Sequence, residues 1–146
     1  MTLYTMGFTQ KSAECFFELI KKNQIEIVLD IRLNNRSQLA GFTKGDDLAY
    51  FLKEICNCKY AHRVDFAPTK DILDAYKKHQ IDWNEYEKLF IPLMKKRDAV
   101  KTFEENFCYY DKVCLLCSEP TPEQCHRRLL AEMLAEKIAN VEIKHI

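Results

Sequence analysis

The stretch that decides the fold is Val113-Cys114-Leu115-Leu116-Cys117-Ser118-Glu119-Pro120-Thr121-Pro122-Glu123-Gln124-Cys125-His126-Arg127-Arg128-Leu129. Its opening apolar run, Val113 to Cys117, has the length of a strand buried on both faces and is too short for a globular helix. Thr121, Pro122 and Gln124 then read as a threonine cap, a proline at the first helical position and a glutamine at the third. The spacing predicts a strand, a tight loop and a helix that begins at Pro122. Such a junction gathers unpaired amides, the positive end of a helix dipole and the side chains of His126, Arg127 and Arg128, which is an anion site in outline.

A rotation of about 100° per residue sorts those side chains. His126 falls in line with Leu130, Met133, Leu134 and Lys137 and points inward. Arg127 sits at the edge of that stripe, and Arg128 points away from it as a solvated residue.

Working outward, the 146 residues fit one domain, taken as 1–146, and are enough for a full core. The 22 basic and 22 acidic residues cancel to a formal net charge of +0, so charge gives no support to nonspecific binding of nucleic acid or an anionic membrane. Met1 to Gly7 has no basic region leading into a long apolar core, and no apolar run approaches a membrane span, so a cytoplasmic protein is expected. An odd total of 7 cysteines, several in apolar segments, argues for reduced thiols over a disulfide framework.

Ahead of the central stretch, Leu3 to Met6 reads as a strand stopped by Gly7, and Ser12 to Asn23 as an amphipathic helix. Ile25 to Ile31 is the clearest second strand, with Asp30 and Arg32 where it emerges. In an open parallel sheet that edge is where ligands bind. Arg32 suits an oxyanion through its planar fork; Asp30 either orients Arg32 or acts on substrate protons. Leu33 to Phe42 has no apolar period and reads as a working loop. Thr43 with Asp46 marks a helix start, and Lys59 to Arg63 a short strand that brings His62, a proton carrier or anion ligand by its ordinary pKa, to the same edge. Asp82 with Glu85 starts a helix that Pro92 kinks or divides. On it and just before it, Trp83, Tyr86 and Tyr76 read as core aromatics before they read as a stacking platform for a base. Ala99 to Tyr110 is a helix and approach loop, and Val141 to Ile146 a terminal strand. The sum is a single three-layer α/β domain with a mostly parallel central sheet of about five strands.

These features resemble the family known as domain of unknown function 488. The likeness rests on Asp30-Ile31-Arg32, the Arg36-Ser37-Gln38 loop leading to Gly41-Phe42, Ala67-Pro68-Thr69, Asp82-Trp83-Asn84-Glu85-Tyr86, and Cys117-Ser118-Glu119 followed by Cys125-His126-Arg127-Arg128. The resemblance implies a compact α/β protein with no activity established for the family. It carries over Asp30, Arg32, Ser37, Cys117, Glu119, Cys125, His126 and Arg127. This chain departs from the family pattern with Phe8 where a histidine is usual after Gly7, and with Asn35 and Gln38 where the loop often has proline and arginine.

Three uses of that set compete. In the first, an enzyme clamps a small phosphate-bearing or nucleoside-like anion with Arg32 and Arg127, with Ser37, Cys125 and His62 as further ligand contacts. There Glu119 or His126 moves a proton, Cys117 attacks, and Asp30 assists. In the second, the same residues form a noncatalytic module for a small anion or a nucleic-acid end. In the third, Cys117, Cys125 and His126 hold a metal such as zinc, a reading weakened because a structural zinc site wants four ligands and Cys114, though spaced CxxC with Cys117, faces the other way. An activated thiol, if present, is expected at Cys125 before Cys114, because Cys125 lies near a helix start and Arg127.

Overall fold

The computed structural model describes residues 1–37 and 40–146, so Gln38 of the loop motif lies outside the described residues. In chain order the elements are β1 (Thr2–Gly7), α1 (Ala13–Lys22), β2 (Ile27–Asp30), α2 (Gly45–Cys56), β3 (Lys59–His62), α3 (Lys70–Lys77), α4 (Trp83–Lys96), α5 (Ala99–Phe107), β4 (Lys112–Cys117), α6 (His126–Lys137) and β5 (Glu142–His145). The strands form one five-stranded sheet in the order β3-β2-β4-β1-β5, and every neighbouring pair is parallel.

β4 lies at the centre, bonded to β1 on one side and β2 on the other. A central parallel strand is covered on both faces, which is why its sequence is one apolar run instead of an alternation. Period two still decides which core each residue joins. Val113 and Leu115 pack with Leu29, Phe90, Phe103 and Leu130 on the α4–α6 side. Cys114 and Leu116 pack with Met6, Phe16, Ile20, Leu48 and Leu52 on the α1–α2 side. Cys114 is therefore sealed in one core, while Cys117 ends the strand on the opposite parity.

The chain leaves β1 toward α1 on one face and leaves the neighbouring β4 toward α6 on the other. Connections that diverge from adjacent strands open a crevice outside their carboxyl ends, and that topology positions the site.

Caps show where local signals held and where packing overrode them. Ser12 accepts from Cys15 N at 3.1 Å and Thr69 from Ile72 N at 3.3 Å. Asp82 and Glu85 form a complete capping box at the start of α4. Thr43 does not cap α2: its hydroxyl donates to Ala40 O at 2.8 Å, and α2 starts at Gly45 behind Lys44. Pro92 does not divide α4, which runs unbroken from Trp83 to Lys96. The predicted start of the last helix also moves. Residues 121–125 form a turn in which Cys125 N donates to Pro122 O, and α6 begins at His126. Cys125 has extended backbone angles, φ −140° and ψ 137°, which no helix interior holds. None of the seven cysteines is in a disulfide, and among the described residues no helix is long and apolar enough to cross a membrane.

Candidate functional site

β4 delivers Cys117 to the crevice, and the turn before α6 delivers Cys125 and His126. All three are buried, at 5%, 2% and 7% exposure, and one donor atom from each lies within 4.8 Å of the others. His126 Nε2 is 2.7 Å from the carbonyl oxygen of Ile31. A carbonyl only accepts, so Nε2 carries a proton and Nδ1 is the ring nitrogen left to accept; Cys117 Sγ lies beside the ring, 3.6 Å from Nδ1 and 3.8 Å from Nε2. The ring is held from its other side by Phe90, 5.5 Å away between centroids.

The two thiols are electrostatically unlike. The neighbouring Cys117, then His126 and the charge of Arg127, hold the Cys125 thiol well below its ordinary pKa against the effect of burial. The bond to Cys125 and burial push Cys117 up. Burial also pushes Cys114 up. Of the three thiols, Cys125 is the one most readily ionised.

Arg127 is 1% exposed and among the largest wholly buried side chains. Its Nη1 donates to Glu119 O at 2.7 Å, its Nε has no partner among the described residues, and no carboxylate pairs with it. Its charge is instead felt by Cys117 and Cys125. A buried guanidinium without a carboxylate is costly, and ionisation of the adjacent Cys125 thiol would offset that cost. Gly7 makes the arrangement possible, since a Cβ there would collide with the Glu119 carbonyl and crowd Arg127 Nη1.

The end of β2 is a separate corner. Arg32 Nε and Nη2 donate to Asp30 at 2.8 and 2.7 Å, Nη2 also to Thr43 O at 2.6 Å, and the guanidinium lies 5.0 Å over the Phe8 ring. Phe8, at the position where the family resemblance leads one to expect histidine, thus serves as an aromatic shelf for Arg32. Asp30, 0% exposed, also accepts from Tyr60 at 2.6 Å and from Arg32 N at 3.2 Å. Burial and the Asp30 charge push the Tyr60 phenol up, so it stays a proton donor.

A 440 Å³ pocket joins these parts. Cys117, Cys125 and His126 line it together with Arg32, Glu119 and an aromatic wall of Tyr76, Trp83 and Tyr86. Trp83 and Tyr86 are stacked at 4.9 Å and 16°. The Tyr76 hydroxyl donates to Gln124 Oε1 at 3.2 Å, bridging α3 to the turn before α6.

The family model described as Domain of unknown function DUF488 matches residues 12–134. The chain belongs to the DUF488 family. No curated protein and no solved structure matches the chain. The DUF488 match takes in both corners and the aromatic wall, while Gly7 and Phe8 precede it.

Of the expected site residues in this DUF488 chain, Cys117, Glu119, Cys125, His126 and Arg32 share the pocket. Asp30 lies behind Arg32 with its oxygens engaged. Arg127 is outside the lining, so Arg32 and Arg127 do not form one clamp there. His62 donates from Nε2 to Arg32 O at 2.7 Å and lines an adjoining cavity. Ser37 is exposed in the loop, outside both linings. Arg128 is on the outer face as expected, paired with Glu132 at 3.0 Å. Trp83, Tyr86 and Tyr76 are core aromatics as their helical spacing reads, Tyr86 buried in the core and the other two packed against it; what that spacing did not show is that the half-buried Trp83 and Tyr76 also line the pocket.

Chemically, two soft sulfurs and an imidazole nitrogen this close could coordinate a metal ion. An imidazole whose second nitrogen is fixed by a carbonyl is the usual supporting arrangement for a ligating histidine.

Proposed function

We propose that this chain is an enzyme that holds one metal ion, zinc by the softness of its donors, on Cys117 Sγ, Cys125 Sγ and His126 Nδ1, and acts with it on a small nucleoside-like ligand. The observation that carries the reading is the convergence of these donors at the floor of a pocket walled by aromatics. In a tetrahedral site with Zn–S near 2.3 Å and Zn–N near 2.0–2.1 Å, sulfur and nitrogen stand roughly 3.5 Å apart; Cys117 Sγ and His126 Nδ1 are 3.6 Å apart, and the full set, within 4.8 Å, would draw together on an ion.

Three protein ligands, with the fourth position open, distinguish a catalytic zinc from a structural one. This answers the objection that the chain lacks a fourth ligand: a bound ion would keep a position for water or substrate from the pocket that the three donors line. A bound ion would polarise a substrate group or activate a water. The residues supply the rest. Trp83, half-buried in the pocket lining and backed by the buried Tyr86, would offer a flat face for a ring, and Glu119, exposed in the same lining, would move a proton. With Arg32 committed to Asp30 and Thr43, ligand recognition here leans on stacking more than on an arginine clamp.

Without a metal the same atoms would make Cys125 an activated thiol and nucleophile, and this second reading draws on its closeness to Cys117 and His126 and on the charge of Arg127. One experiment separates them. Metal-stripped protein titrated with zinc should unfold at higher temperature, because an ion that binds only the native state stabilises it. Cys117→Ala, Cys125→Ala and His126→Ala should each remove the response. An unchanged melting temperature in the parent protein, with rapid alkylation of Cys125, would replace the metal reading by the thiol reading. Product formation on a nucleoside panel, lost in Glu119→Gln while ligand binding persists, separates an enzyme from a binding module.

A further inference from the structure

We propose that the cleft continues into an anion subsite and that the ligand is a nucleotide-like molecule whose phosphate or similar group sits between Arg36 and Lys44; the ligand half of this rests on the ring-binding reading above. A second cavity, of 480 Å³, adjoins the first, and Leu33 and Asn34 line both. Its charged lining is Arg36, Lys44 and Asp46, with His62 beside them. Among the described residues neither Arg36 nor Lys44 is in an ion pair. Two cations against one carboxylate leave a local excess of positive charge in a chain whose formal net charge is +0.

The wall of this cavity is rigidly built. Asn35 Nδ2 donates to the Tyr60 hydroxyl at 2.9 Å, and that hydroxyl donates to Asp30 at 2.6 Å. Asn35 O accepts from Gly45 N at 2.8 Å, and a Cβ at Gly45 would collide with the Asn35 amide, so glycine lets the loop dock on the start of α2. His62 spends Nε2 on Arg32 O and turns its other nitrogen elsewhere. The chain of hydrogen bonds that fixes Arg32 in the ring pocket therefore also fixes Asn35, Tyr60 and His62 in the anion cavity. A ligand with a flat ring and an anionic tail fits a cleft that is aromatic at one end and cationic at the other. Charge-assisted bonds from arginine and lysine are the ordinary means of holding a phosphate.

The test uses calorimetry with the zinc-loaded protein, the four ribonucleosides, their 5′-monophosphates and inorganic phosphate. At least one monophosphate should bind about tenfold or more tightly than its nucleoside. Arg36→Ala with Lys44→Ala should erase that ratio and leave nucleoside affinity and melting temperature unchanged. Asp46→Asn, which removes the opposing carboxylate, should widen the ratio. Equal affinity for nucleoside and monophosphate, or a ratio that survives the double substitution, overturns the subsite. If no nucleoside or monophosphate binds, the ring reading fails, and inorganic phosphate alone decides the subsite: millimolar binding lost in the double variant upholds it, and no binding overturns it.

Discussion

Two corners of the same sheet edge hold buried charge, and they are finished differently. At the end of β2, Asp30 and Arg32 satisfy one another: the carboxylate accepts from three groups of Arg32 and from Tyr60, and the guanidinium reaches Thr43 as well. At the end of β4, Cys117, Cys125 and His126 are brought within 4.8 Å with donor capacity left open, and Arg127 beside them has a buried Nε with no partner among the described residues. A closed network holds a wall in place; an open one has capacity for a ligand. A third pair isolates burial as a variable. Arg63 and Asp65 repeat the forked geometry at 2.9 and 2.6 Å, but at 23% and 40% side-chain exposure they are far more open to solvent than Asp30 and Arg32.

The largest expected effect is at the closed corner. Asp30→Ala strands the Arg32 charge inside the protein and should cost about 3–5 kcal/mol, read as a lower urea midpoint. A variant with the parent midpoint and no activity would turn that corner from scaffold into chemistry. Next is Gly7→Ala, whose methyl must displace the Glu119 carbonyl and with it the hydrogen bond to Arg127. It should cost about 1–3 kcal/mol and also weaken zinc binding. Zinc affinity equal to the parent's would uncouple Arg127 from the open corner.

Cys125→Ser should show the reverse pattern. Compared in the metal-free state it should stay within about 1 kcal/mol of the parent, yet lose the zinc-induced rise in melting temperature. A large loss of metal-free stability would make Cys125 a packing residue.

The smallest effect belongs to the exposed pair. The hydrogen bond from Arg63 lowers the Asp65 pKa. A depressed folded-state pKa contributes stability that is present above the unfolded carboxylate pKa and is lost as pH falls through the folded one. For a pair this exposed the contribution should be under about 1 kcal/mol. Asp65→Asn should remove only that small acid-side dependence, and a loss as large as that of Asp30→Ala would mean that burial is not what separates the two pairs.

How much of this was legible beforehand follows from which signals are local. The apolar run Val113 to Cys117 and the alternation of strands with amphipathic stretches were enough for the layered parallel sheet, because strand burial is written in period and length. The capping pair at Asp82–Glu85 was legible for the same reason. Thr121-Pro122-Glu123-Gln124 offered an equally good local start and was overruled. Cys125 takes extended angles that bring its sulfur beside Cys117 and His126, and that contact depends on residues from the end of another element. Strand order, the burial of Arg127 beneath Gly7, and the exposure of Trp83 and Tyr76 to the pocket are likewise tertiary facts. Helical spacing assigns an aromatic residue to a face without saying whether that face meets a core or a cavity.

The measurement that bears most directly on the central claim is X-ray absorption at the zinc edge of the reconstituted protein. The account predicts one ion per chain with two sulfurs at about 2.3 Å, a histidine nitrogen at about 2.0–2.1 Å and one further light atom, and one sulfur fewer in Cys125→Ser. An ion that does not survive dialysis, or a first shell of nitrogen and oxygen alone, would contradict it.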